Sequence, residues 1–420
     1  MRLTLASCLI LTCLSAASAG DWPQILGPDR NATATGEKLA ETWPADGPKE
    51  LWSMKVGDGF SGVAVKGGKA ILFHRIGDEE VAECLDPETG KPIWKTAFPT
   101  AYVPSFTSDR GPRAVPLIDG DHVYLYGARG GLHSVKLADG EKVWSRDIYE
   151  DYSSKRPSRG EPAEGYFGYG TTPIVEGDLL LLNAGGYSKE AGIVAFNKLT
   201  GKTVWAKTEE KATYSSPVAA TFGGQRHVIF ATRLNVVSVD PKNGRVLFEF
   251  PFGELGPAAT GATPVVFDDL VFITGSYNFG AILARVGRTG SIPVWSSDEV
   301  LSSQYTTSIL HEGAMFGVHG RQDSSPASLR CIDPKTKTIH WEERDFGYAT
   351  FIKADGKLLI IKTNGEAVLA KLSTKMFEPI ASASLFIDAT RPTTRALPAL
   401  SNGRLFVRDE RTLKCVSVGR

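Results

Sequence analysis

Arginine and tyrosine gather in two stretches of this chain, and together they suit anion recognition. Residues 100–113 carry Tyr102, Phe106, Arg110 and Arg113. Residues 149–170 carry Tyr149, Tyr152, Arg156, Arg159, Tyr166, Phe167 and Tyr169. Shorter Gly-containing turns elsewhere add His74-Arg75, Arg129, Arg233 and His319-Gly-Arg321, and Tyr305 completes the candidate set. A guanidinium presents a planar fork of donors to carboxylates, phosphates or sulfates, and Tyr and Arg are enriched where proteins recognise partners. The competing use of the same residues is packing of the two loops on each other or on the N-terminal segment.

Other chemistries lack their residues. Asp119-Gly-Asp121 and Asp268-Asp269 are the obvious acidic clusters. Each sits where a tight turn is expected, and Asp is a turn former. Seven His show no zinc-ligand spacing, and no nucleophile elbow or phosphate loop is present. No catalytic residue and no metal ligand is therefore nominated.

The elements that position these residues come from a repeat. Cys84-Leu-Asp-Pro-Glu-Thr-Gly90-Lys-Pro-Ile-Trp94 returns as Ser134…Gly140…Trp144, Ala195…Gly201…Trp205 and Ser238…Gly244…Phe248. Cys331…Lys337…Trp341 replaces the Gly, and Ala284…Gly290…Trp295 is longer by one. Within residues 113–148, four short apolar runs are separated by Asp-Gly and Gly-Gly turns, which is a four-stranded antiparallel meander. One such sheet cannot cover both its faces, so copies must stack, and radial stacking protects their edges.

First strands are expected to begin near Ser61, Arg113, Thr171, Ser215, Gly261, Thr306, Ala349 and Arg395. That predicts an all-β, eight-bladed propeller, with seven blades as the alternative. After Cys415 the chain ends without a fourth strand, and Leu51–Val56 is the strand left over. It is expected to complete the last blade and close the ring. The aromatic column reads as a wedge between blades. Cys84, Cys331 and Cys415 share the small-residue column and read as buried, unpaired thiols.

The ends and the bulk composition set the context. Arg2, the apolar run Leu3–Leu14 and Ala17-Ser-Ala19 have the form of a cleavable export signal, with cleavage after Ala19. The expected organisation is a signal at 1–19, an extended segment at 20–46 and the propeller at 47–420, in a periplasmic or secreted protein. Leu5-Ala-Ser-Cys8 has too short an apolar lead to serve as a lipid-anchor signal. No other segment reaches the ~18 apolar residues of a membrane helix. Lys+Arg and Asp+Glu both number 47, so a nucleic-acid footprint is not expected. A monomer is expected.

The column set Ala/Cys/Ser-x-Asp-x-x-Thr-Gly-x-x-x-Trp resembles the repeat of the quinoprotein (PQQ-binding-like) β-propeller superfamily, over essentially the whole mature chain. The opening Asp21-Trp-Pro-Gln-Ile-Leu-Gly-Pro also looks like that of exported propellers common in planctomycetes, with Ile25 and Leu26 in place of an aromatic and an Arg. The resemblance implies eight blades and spans PQQ-dependent alcohol dehydrogenases and the BamB outer-membrane assembly scaffold. The dehydrogenases imply a vicinal Cys pair, a pore Trp and Glu/Asn/Asp on Ca²⁺, and this chain has no Cys-Cys pair or matching acidic set. The expectation is a non-catalytic, BamB-like binding scaffold without PQQ or Ca²⁺, for a protein, an anionic polymer or a carbohydrate. The alternative is a PQQ-dependent alcohol or sugar dehydrogenase with a degenerate site.

Overall fold

The computed structural model describes residues 20–152, 162, 164–186, 189–324, 326–386 and 394–420. Eight antiparallel sheets follow one another around a central channel, almost without helix. Blades 1 to 6 span 64–99, 117–147, 174–207, 218–251, 265–297 and 309–343. Blade 7 spans 349–384, and blade 8 is built from both ends of the chain. Glu50–Lys55 pairs antiparallel with Thr412–Ser417, Trp52 opposite Cys415. The ring is thus closed by the strand the sequence left over, one residue earlier than Leu51–Val56. Cys84, Cys331 and Cys415 are free and buried in three different sheets.

The repeated indole has a double task. Trp94, Trp144 and Trp205 donate Nε1–H to the carbonyls of Leu137, Lys198 and Pro241, at 3.1, 3.0 and 2.9 Å. Trp295, Trp341 and Trp52 do the same to Pro334, Ser373 and Pro87, at 2.8, 2.9 and 3.1 Å. Each acceptor lies in the turn between third and fourth strands of the next blade. In four of these six turns a Gly lies on the same ring: a Cβ on Gly201 would stand 2.7 Å from the Trp144 indole, and Gly90, Gly140 and Gly244 meet Trp52, Trp94 and Trp205 likewise. Gly201 also needs its φ of 67°. The motif Asp-x-x-Thr-Gly-x-x-x-Trp is therefore a clasp repeated between blades, which buries an aromatic and satisfies its polar edge.

Blades 4 and 5 meet differently. Phe248 has no N–H to donate and stacks on Phe250 at 6.0 Å. The blade 5 turn is the copy with the extra residue, and Gly290 has open space where the others meet an indole. Its N–H instead bonds the Leu247 carbonyl at 2.9 Å.

The N-terminal segment seals the end of the channel that carries the turns between first and second strands. Trp22 pairs with Val65, and the Pro23 carbonyl accepts the Ile118 N–H. Thr33–Ala34 adds a parallel strand to blade 7, and Glu37 accepts the N–H groups of Asn402 and Gly403 at 2.6 and 2.7 Å. Between these anchors Ile25, Leu26 and Ala32 are buried against Val115, Tyr348 and Phe351 in the channel. Leu26, Arg30 and Ala32 have positive φ, a backbone cost that persists only where surrounding contacts hold it.

Candidate functional site

Each blade begins where the chain turns down from the opposite end into its channel-lining strand. The residues at that turn are Phe60, Arg113, Gly170, Tyr214, Gly261, Tyr305, Tyr348 and Arg395, one per blade in order. Seven of them line a cavity of about 280 Å³ at the channel mouth, and the Tyr348 ring packs on Tyr305 at 4.5 Å. Ile25 of the N-terminal segment, Val115 and Leu397 complete its apolar lining, and Phe167, Tyr277, Gln304, Gln322 and Asp323 come from the surrounding loops.

Below that column the channel strands are stitched through hydroxyls. The N–H groups of Val115, Thr172 and Thr263 donate to Thr172 Oγ1, Ser216 Oγ and Thr307 Oγ1, at 3.0, 2.9 and 2.9 Å. The sequence shows this as Thr171-Thr-Pro, Ser215-Ser-Pro and Ala262-Thr-Pro. The hydroxyls fix the strand starts, so the preceding residue of each blade is aimed at the mouth from a rigid base.

Two guanidiniums flank one ring there. Arg113 Cζ lies 5.6 Å from the Phe60 centroid, and Arg395 Cζ lies 5.2 Å from it. Arg113 donates to the carbonyls of Gly111 and Asp109 at 2.6 and 3.2 Å, with the Asp109 carboxylate at 3.5 Å. Arg395 Nε is buried and has no hydrogen-bond partner among the described residues. The neutral polar groups are already paired: Tyr305 Oη donates to Gln322, and Gln304 donates to Tyr277 Oη, both at 2.7 Å. Asp323 is held through both oxygens by Arg321, at 2.9 and 3.0 Å, and that ion pair sets its carboxyl below the usual range. Burial raises the Tyr214 and Tyr305 phenols, so both are neutral donors at ordinary pH.

The candidates taken from sequence divide sharply. Arg113 and Tyr305 line the cavity, and Arg321 stands behind it with its Cζ 4.2 Å from the Tyr277 centroid. Tyr102 is buried near Arg113, and its carbonyl accepts from Arg75 at 2.7 Å. Arg110 is exposed and faces Asp58 at 3.4 Å. Arg129 stacks on Tyr149 at 3.4 Å beside Glu150. Tyr166 meets Phe106 edge-on at 4.8 Å, and Tyr169 is buried against Tyr126 at 5.2 Å. Arg233 is buried and donates to the Gly256 carbonyl. His319 Nδ1 accepts the Ser302 N–H at 3.1 Å, as His74 does from Gly57 at 3.0 Å. Burial pushes His319 down to about 4, so it stays neutral and braces a crossover. Arg156 and Arg159 lie outside the described residues, as does the 1–19 segment.

The mouth does not fit the equipment the resemblance implies for PQQ with Ca²⁺. Asp323 is the one carboxylate among the described lining residues, and Arg321 occupies it. A hard cation needs several oxygen ligands, and no three His, Cys, Asp or Glu among the described residues gather as a metal site. The three described cysteines sit in separate sheets. The acidic turns are paired with Lys or Arg: Asp119 with Lys198, Asp268 with Lys335 and Asp269 with Arg285. No described helix is long and apolar enough to cross a membrane.

Comparison with known proteins gives one family and a consistent fold. A family model described as outer membrane protein assembly factor BamB matches residues 37–166 and 78–343. The quinoprotein alcohol dehydrogenase PedH of Pseudomonas putida (strain KT2440) is 25% identical over 215 residues, 49% of this chain. The match covers only 31% of that relative's length. BamB from Moraxella catarrhalis superposes with a TM-score of 0.59 at 14% identity, over 88% of this chain and 97% of the other. Quinohemoprotein alcohol dehydrogenase from Comamonas testosteroni does so with 0.52 at 13% identity, over 97% and 82%. The two superpositions speak for the fold alone.

Proposed function

The chain belongs to the family described as outer membrane protein assembly factor BamB, and on that premise we propose that it is a non-catalytic binding propeller, active outside the cytoplasm, that engages an acidic partner at the channel mouth. One observation carries the reading: the same position of seven blades converges on a mouth with two guanidiniums and several aromatic rings. Nothing among the described lining residues resembles a general acid–base pair or an activated nucleophile. The apolar cavity with a few convergent polar groups is the usual form of a binding site. The exposed Val103 and Phe106 (78% and 57% exposed) extend the same face.

Site-specific photocrosslinking tests this. A photoreactive residue at Val103 or Phe106 should capture a partner in producing cells, whereas one at Ile292, exposed on an outer strand, should not. Crosslinks confined to Ile292 would refute the mouth as the working face.

A second reading is a degenerate PQQ-dependent oxidoreductase, favoured by the PedH match. If the protein, mixed with PQQ and Ca²⁺, carries no quinone absorbance through gel filtration and reduces no dye with alcohols or sugars, that reading falls.

A further inference from the structure

The mouth cavity narrows its own ligand class, given the binding role just proposed. Its volume, about 280 Å³, lies at the small end of ligand pockets. It holds one substituted ring rather than a folded peptide or a long polymer segment. The walls are flat: Phe60, Phe167, Tyr214, Tyr277 and Tyr305. Rings of this kind stack on planar aromatics and on the apolar faces of sugars.

Charge selects further. Arg113 and Arg395 line the cavity with Asp323; Asp109 is paired to Arg113, and Arg321 to Asp323. Among the described lining residues and their ion-pair partners, three guanidiniums stand against two carboxylates, an excess of one positive charge. A monoanion matches that surplus, whereas a phosphate dianion would face Asp323 with charge uncompensated. Arg395 lines the cavity beside Phe60, and its guanidinium has no hydrogen bond or ion pair to a described residue. Its Nε is buried, so its terminal nitrogens are the donors a ligand would meet, and a carboxylate accepts from a guanidinium through both oxygens. The Tyr305 hydroxyl is committed to Gln322 Oε1, Gln304 Nε2 donates to Tyr277 Oη, and Gln304 Oε1 accepts the Gln322 main-chain N–H, so the charged groups rather than these neutral ones select the ligand.

We infer that the mouth binds a single-ring monocarboxylate, with the ring among Phe60, Tyr214 and Tyr305 and the carboxylate on Arg395 and Arg113. Uronate sugars and aromatic acids share this chemistry.

Calorimetric titration of residues 20–420 distinguishes the two sources. The probes are D-galacturonate, 4-hydroxybenzoate, galactose, galactose 6-sulfate and galactose 6-phosphate. At least one carboxylate should bind at least tenfold more tightly than galactose and than either ester. Binding by galacturonate alone identifies a uronate; binding by the benzoate alone identifies an aromatic acid. Arg395→Gln should weaken the bound carboxylate at least tenfold, and Arg226→Gln, on the opposite face, should leave it unchanged. Should Arg395→Gln fail to fold, Asp323→Asn serves instead: it removes the opposing carboxylate and should tighten binding several-fold. Lack of binding by both carboxylates, tighter binding of an ester, or indifference to these variants would overturn the inference. Crosslinks from Val103 or Phe106 would in that event still uphold the platform, so the two failures are separable.

Discussion

The two ends of the channel are built from the same strands and finished in opposite ways. At the sealed end, polar groups are committed to main chain. Arg30 is 3% exposed, and its guanidinium donates to the carbonyls of Pro217 at 2.9 Å, Thr172 at 3.4 Å and Pro173, while Nε reaches Gln24 at 2.8 Å. Burial lowers it to about 9. At the mouth, Arg395 shares the Phe60 ring with Arg113, and its Nε has no partner among the described residues. An arginine whose three nitrogens all donate to carbonyl oxygens holds the molecule together. An arginine over a cavity is available to something else.

That contrast can be broken most severely at Arg30. Arg30→Met leaves three buried carbonyls without their donor and should destabilise the protein by about 3 kcal/mol in urea unfolding. A change below about 0.5 kcal/mol would mean that the plug does not contribute to folding.

Next in size is Glu80, at the mouth end but sealed like Arg30. It is 2% exposed, accepts the Ala128 N–H at 2.8 Å, and burial raises its carboxyl to about 7. A carboxyl raised on folding prefers its proton in the native state. Its stabilisation is full below its ordinary value near 4.5 and is lost as pH rises toward about 7. Unfolding free energy should fall by on the order of 2–3 kcal/mol across that window. Glu80→Gln should flatten the dependence, and an unchanged slope would exonerate Glu80.

A smaller effect is expected at the clasps. Trp144→Phe deprives the Lys198 carbonyl of its donor and should cost about 1 kcal/mol. Phe248→Leu, at the seam without an indole, loses no hydrogen bond and should cost less than that. Equal losses would show that the clasp bond is immaterial.

The smallest stability effect belongs to Arg395→Gln, within about 0.5 kcal/mol by thermal unfolding. The same substitution should have the largest effect on carboxylate binding. A strongly destabilised Arg395→Gln would move Arg395 to the side of Arg30.

The scaffold was legible because it is local and repeated. Small residue, Asp-x-x-Thr-Gly turn and aromatic recur at fixed spacing, and each copy states its strand, turn and wedge without reference to distant chain. Even the missing strand of blade 8 could be counted, and its substitute found at Leu51–Val56. The candidate binding surface was legible only as a face. Arg113 and Tyr305 reached the cavity, but Arg110, Arg129 and Arg233 went to Asp58, Tyr149 and Gly256. Phe60, Tyr214, Tyr277, Asp323 and Arg395 were not singled out beforehand. A signal for three of them did exist: Phe60, Tyr214 and Arg395 hold the blade position that Arg113 and Tyr305 hold. It was hidden because that column varies freely in type, and richness in Arg and Tyr drew attention to the longest loops instead.

Short-range pattern thus dictated the leaves and their number, since strand pairing within a blade is set by neighbours in the chain, and counting the strands then pointed to the pairing of Glu50–Lys55 with Thr412–Ser417 that closes the ring. Tertiary structure decided which arginines line the mouth and that Ile25 floors it. Those facts depend on residues from seven blades and the N-terminal segment meeting at one axis, and no spacing along the chain encodes that meeting.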